Sequence, residues 1–216
     1  MAGETRARML AAATEALRRS GVAGMSFTEV LGASGAARGA IYHHFPGGKA
    51  QLVSEAAGQH GAEVLGHLAT LSGDSPTEVV RAFLAAVRPV VAASAAGSGC
   101  AVAAVALSPT GPARTADPVG PTGPAGAGAG AAAGTGTGTG TGTTEVAAAA
   151  FDSWVGQLTA TLTTAGAPPT EAAELASALI ALLEGAHVLC RAASDLAPFD
   201  RAASAVDALV RSRYPG

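Results

Sequence analysis

The chain has 216 residues, 49% hydrophobic and 13% charged, with a formal net charge of −3; this is enough apolar material for one or two packed domains and excludes a chain disordered throughout. Ala, Val and Leu supply most of the apolar content while aromatic residues make up 4%, which favours helices over strands and makes an all-α fold the expectation. Cys100 and Cys190 are too few for a disulfide framework and lack metal-ligand spacing, so the thiols are expected to be reduced and the protein cytoplasmic.

Glu4, Arg6, Arg8, Glu15, Arg18 and Arg19 interrupt the first twenty residues, leaving no apolar signal-peptide stretch. No uninterrupted apolar run of roughly eighteen residues occurs, so no membrane association is expected. The charge is unevenly spread. Residues 1–52 hold six Lys/Arg against three Glu, hence +3, and the remainder seven against thirteen, hence −6. A basic amino-terminal unit on an acidic body suits contact with a polyanion at one end only.

Leu10, Ala13 and Leu17 recur at helical spacing, and Gly21 just beyond Arg18 and Arg19 supplies a stop, predicting a first helix. Ser26-Phe27-Thr28-Glu29 matches a capping box that opens a second, short helix to about Ala33. Gly35 offers a tight turn, and a third helix of two turns is expected from Ala37 to about His44, stopped by Pro46. Gly47-Gly48-Lys49 opens a fourth, whose stripe of Leu52, Ala56, Val64, Leu65, Leu68 and Leu71 runs until Ser72-Gly73-Asp74-Ser75-Pro76.

A fifth amphipathic run, from Val79 through Phe83 and Val87 to Val91, extends to about Ala96. Residues 110–144 are then almost wholly Gly, Ala, Thr and Pro, and such a segment buries too little surface to offset its ordering entropy, so 109–144 is expected to be a flexible insertion. Helical pattern returns at Glu145 with Phe151, Trp154, Leu158 and Leu162. It continues from Thr170 to about Ala193 and again after Pro198. Both carboxy-terminal helices carry broad apolar faces.

Three helices with a glycine turn between the second and third describe a helix-turn-helix, whose second member enters the major groove of DNA. Residues 38–52, RGAIYHHFPGGKAQL, are that helix and its exit. Arg38 is long enough to reach a phosphate or a guanine edge, and the missing Cβ of Gly39 lets backbone approach the duplex. Tyr42 can place its hydroxyl on a phosphate, His43 and His44 add donors, and Thr28 stands at the start of helix two. Lys49 lies at a helix start, where charge and free amides together favour an anion. Phe45 is expected to be core.

The run SFTEVLGASGAARGAIYHHFPGGKAQL, with Tyr42, Phe45, Lys49 and Leu52 in register, resembles the helix-turn-helix of TetR family transcriptional regulators. YHHFPGGK, with GCAVAAVAL at 99–107 and FDSWVGQL at 151–158, resembles the LmrA/YxaF-like branch of that family. The resemblance implies an all-helical homodimer with a DNA-binding domain over 1–50 and a ligand-binding, dimerising domain over 51–213. It also implies a repressor that a small-molecule effector releases from a palindromic DNA operator, and no enzyme. The chain departs from the family pattern at Ala37, which leaves the recognition helix without a side-chain cap at a loss of about 1 kcal/mol. Gly32 inside helix two costs about the same relative to Ala.

Phe83, Phe151, Trp154, Glu184 and His187 are candidates to line an effector cavity, as apolar walls with a few polar groups. Glu184 and His187 also form a Glu-x-x-His pair, and His60, Glu63 and His67 recur about one turn apart. A metal-dependent helical-bundle enzyme is therefore one alternative, but no complete coordination sphere is legible and neither metal nor cofactor is expected. A module of the same fold with impaired DNA reading is the other alternative.

Overall fold

A computed structural model describes residues 2–108 and 141–215. Those residues form nine helices and no strand: α1 Ala2–Gly24, α2 Phe27–Ser34, α3 Ala40–His44, α4 Gly48–Ala69, α5 Pro76–Ala95, α6 Ala101–Ala106, α7 Thr141–Thr164, α8 Pro169–Ala193 and α9 Ala197–Arg213. The all-α expectation holds. The bulk of the insertion expected at 109–144 lies outside the described residues, and its last four residues are the first turn of α7, so that helix starts before Glu145.

Local chemistry accounts for the helix ends. Gly21 breaks α1 with φ 68°, ψ −178°, a backbone a side chain would strain, and Met25 N–H bonds back to its carbonyl at 3.1 Å. Ser26 caps α2 by accepting from Glu29 N–H at 3.2 Å. The reciprocal half of the capping box gives way to a better partner, because the Glu29 carboxylate turns to Arg19 on α1. Gly35 ends α2 in the left-handed region at φ 65°.

Helix α3 is shorter than the expected span. Ala37 does not open it: Ala40 N–H bonds to the Ala37 carbonyl at 2.9 Å, so Arg38 and Gly39 form a turn ahead of the helix and Gly39, without side-chain capping, is its N-cap. The missing cap anticipated at Ala37 is real but sits two residues later.

The amino-terminal core is closed by Met9, Ala13, Leu17, Met25, Val30, Ile41 and Phe45, all fully buried. The Arg6 guanidinium lies 5.0 Å from the centre of the Phe45 ring. The body is a helical stack in which α7 packs against α4 and α8, and α5 against α8 and α9. Trp154 is its anchor, wholly buried with Nε1 donating to the Gly61 carbonyl at 2.9 Å. A Cβ at Gly61 would stand 3.0 Å from that of Ala150, so the glycine lets α4 and α7 approach. Helix α8 is long and apolar enough to cross a membrane by length and composition alone, and here it packs against α5, α7 and α9.

Helix α1 belongs to both halves, packing on α2 and also on α4 and α6. The contact with the body is polar as well as apolar. Gly99 N–H donates to the Arg18 carbonyl at 2.7 Å, Arg18 Nε donates to the Gly99 carbonyl at 3.1 Å, and Arg191 on α8 donates to the Arg19 carbonyl at 2.9 Å.

Candidate nucleic-acid interface and inner cavity

Two buried side chains orient α3. Ile41 and Phe45, four apart, face the core and turn the opposite face outward. On that outer side Arg38, Gly39, Tyr42 and His43 are exposed and His44 is half-buried. Tyr42 is 62% exposed, its ring edge against Phe27 at 5.9 Å between centroids, which fixes the ring while leaving the hydroxyl in solvent. His43 and His44 meet edge to face at 5.1 Å. Thr28 is exposed in the first turn of α2. Lys49 is half-buried in the first turn of α4.

Charge pairing separates these residues from the other cations around them. Arg6 pairs with Glu55, Arg8 with Glu4, Arg18 with Glu15, and Arg19 with Glu15 and Glu29. Arg38 and Lys49 are in none of the ion pairs among the described residues. The net positive charge of residues 1–52 is thus concentrated on the helix-turn-helix surface. The anion site anticipated at Lys49 is narrower than expected, since the Gly47 N–H is taken by the Gln51 side chain at 2.8 Å and the Gly48 N–H by the Phe45 carbonyl at 2.9 Å.

Among the described residues, an inner and an outer cavity lie beyond the α1 junction. The inner one, about 460 Å³, lies among α4, α5, α7 and α8 and has His60, Glu63, His67, Trp154, Glu184 and His187 in its wall. The outer one, about 1080 Å³, opens between α1, α6, α7 and α8 and includes Phe151, Val155 and Ile180. Arg18, Gly99, Cys100, Glu184 and His187 border both. Of the five cavity residues expected from sequence, Phe151, Trp154, Glu184 and His187 are in these walls. Phe83 is not: it is fully buried in side-chain packing and borders neither cavity.

The shared wall is chemically unusual. Both Glu184 carboxylate oxygens are buried without a hydrogen-bond partner. Burial pushes this carboxyl up to about 7, and the neighbouring Cys100 thiol, a weak donor outside hydrogen-bond geometry, offsets only part of that. The same burial, with Glu184 alongside, raises the Cys100 thiol, while Cys100 Sγ caps α6 by accepting from Ala103 N–H at 3.4 Å. His187 shares a 2.5 Å hydrogen bond between Nδ1 and Ser94 Oγ, and burial, then Arg18 and His60, depress it to about 4, so the ring is neutral. His60 is likewise lowered by burial and Arg18, against the opposing pull of Glu63.

Among the described residues no group of three or more His, Cys, Asp or Glu is placed to hold a metal ion. His60, Glu63 and His67 instead contribute to the cavity wall together with Glu184 and His187. Sequence reasoning missed Ser94, the Arg18–Gly99 pair and helix α6. Ser94 and His187 stand 93 positions apart, and nothing local in either segment marks the contact.

Comparison with known proteins agrees with this architecture. Residues 9–56 match the family of bacterial regulatory proteins, tetR family, and residues 125–205 match the C-terminal domain of LmrA/YxaF-like transcriptional regulators. An uncharacterized HTH-type transcriptional regulator of Mycobacterium tuberculosis is 30% identical over 198 residues, covering 90% of this chain and 88% of that protein. The HTH-type transcriptional regulator LmrA of Bacillus subtilis is 34% identical over 84 residues, 38% of this chain and 45% of LmrA. The crystal structure of a TetR family transcriptional regulator from Agrobacterium tumefaciens superposes with a TM-score of 0.71 at 21% identity, covering 97% of this chain and 99% of the other. With its helix-turn-helix, its helical body and a relative alike over nearly its whole length, the chain belongs to the TetR family of transcriptional regulators, on the LmrA/YxaF-like branch.

Proposed function

We propose that this chain is a ligand-responsive repressor that binds a palindromic operator as a homodimer in the cytoplasm and is released by a small molecule. The observation that carries the reading is the placement of charge: the two amino-terminal cations without carboxylate partners, Arg38 and Lys49, are those on the helix-turn-helix surface. Arg38, Gly39 and His43 meet the duplex in the major groove, with Thr28, Tyr42, His44 and Lys49 on its phosphates. Residues 1–50 act as the reading head and 51–213 as the sensing and dimerising body, with the 109–144 segment inserted in it.

Exposed Leu189 on α8 and Leu209 on α9 supply an apolar surface for a second copy. The cavities beside the Arg18–Gly99 pair hold the effector, so that its arrival bears on α1 and through it on the spacing of two reading heads. Fluorescence anisotropy with the duplex flanking the chain's own gene, against an unrelated competitor, tests this. Saturable binding that survives the competitor and falls in Arg38→Ala supports the reading; equal, salt-fragile binding to both duplexes refutes it.

A further inference from the structure

The cavity wall has one conspicuous electrostatic gap. The titratable groups in the walls of the inner cavity besides Glu184 are Arg18 from α1, His60, Glu63 and His67 from α4, Cys100 ahead of α6 and His187 from α8, while α5 and α7 add apolar residues such as Val87 and Trp154 and no titratable group. None of these is hydrogen-bonded to the Glu184 carboxylate. Arg18 is committed to Glu15 at 3.6 Å and to the Gly99 carbonyl. His60 and His187 are held neutral by burial, and Glu63 adds a second negative group. At the outer cavity Arg19 is paired with Glu29 and Arg191 donates to the Arg19 carbonyl. A buried acid whose oxygens find no donor is costly to keep. It becomes favourable when a ligand brings the missing positive charge.

We propose that the effector is an apolar molecule bearing a protonated amine, with its apolar body in the inner cavity among Val64, Leu68, Val87, Trp154 and Leu183 and its amine paired with the Glu184 carboxylate, which turns toward it from its buried position in the shared wall. This rests on the reading of the cavity as the effector site and adds the chemical class it selects. The inner volume of about 460 Å³ falls within the range of small-molecule pockets and suits a ligand with one or two fused rings. Selectivity comes from charge: a neutral alcohol of the same shape offers Glu184 a weaker donor, and an anion adds repulsion.

Trp154 is the chain's one tryptophan and borders this cavity, so its emission reports occupancy. Wild type, Glu184→Gln and Glu184→Asp are titrated at about pH 8, where both the carboxylate and the amine are charged, with naphthylethylamine, naphthylethanol and naphthylpropionate. The amine is expected to bind wild type roughly tenfold to a hundredfold more tightly than the alcohol, with the anion weakest. Glu184→Gln should lose that preference and Glu184→Asp keep part of it. Equal affinity for amine and alcohol, a preference that survives in Glu184→Gln, or no quenching by the amine overturns the proposal. Operator release measured in parallel keeps the two readings apart. Glu184-dependent amine binding without release upholds the binding site and refutes its role as effector site, whereas release driven by the alcohol as strongly as by the amine upholds the effector site and overturns the amine.

Discussion

Replacing Glu184 by Gln should change how stability depends on pH, in a direction and size that follow from the buried carboxyl. An ordinary Glu titrates near 4.5 and this one near 7. Below 4.5 the group is protonated whether the chain is folded or not and contributes nothing to the pH dependence. Between the two values the unfolded chain releases its proton while the folded chain keeps it, so stability falls as pH rises, and the full loss is reached above about 7. Each pH unit between the two values is worth about 1.4 kcal/mol, so the loss is on the order of 3 kcal/mol. His187 works in the opposite sense. Its folded value of about 4 lies below the ordinary 6.5, so unfolding takes up a proton in that interval and stability rises with pH by a similar amount.

In wild type the two slopes largely cancel. In Glu184→Gln the histidine slope is no longer opposed by Glu184, and the variant should gain about 3 kcal/mol on wild type between pH 4.5 and 7.5. Urea unfolding followed by Trp154 emission at a series of pH values and one protein concentration measures this. Any constant offset from the amide's own packing drops out of the comparison. Parallel profiles for wild type and variant would refute the assignment of Glu184 as an uncompensated buried acid.

The other expectations concern the reading head, its junction and the outer apolar surface. Arg38→Ala should cost about 1–3 kcal/mol in operator binding and flatten the salt dependence, whereas Arg8→Ala, which removes a partner of Glu4, should leave both nearly unchanged in the same anisotropy assay. Phe45→Ala, emptying a fully buried site under Ile41 and Arg6, should destabilise the fold by about 3–5 kcal/mol in urea unfolding. Gly99→Val should act as a wedge, since even a Cβ there would lie 3.2 Å from the Arg18 carbonyl; the expected result is operator binding that no longer responds to ligand, read by anisotropy with and without it. Leu189→Asp on the exposed side of α8 should shift the protein toward monomer in light scattering and weaken operator binding with it.

Most of the helical skeleton was legible because its signals are local. Ser26 ahead of Glu29, Gly35 in a left-handed turn and apolar residues repeating every three or four positions each act within a turn or two of chain. The same locality explains the errors. Helix α3 starts at Ala40 because the preceding turn is closed by a single backbone bond from Ala40 to Ala37, a choice among near-equal local geometries that tertiary contacts settle. Helix α7 starts at Thr141, although Gly and Thr are weak helix formers.

The composition and motifs of the chain determined by themselves its helical class, its family and the candidate residues for DNA contact, since those follow from periodicity and a short contiguous pattern. Only the tertiary structure decided which of those cations remain unpaired, that Phe83 fills the core while Trp154 borders a cavity, and that Glu184, His187, Cys100 and Arg18 meet at one wall, with buried Ser94 bonded to His187 behind it. The physical reason is that ionisation, pairing and cavity formation depend on distance and on exclusion of water. Both are set by groups many turns apart in the chain, where spacing along the sequence carries no information.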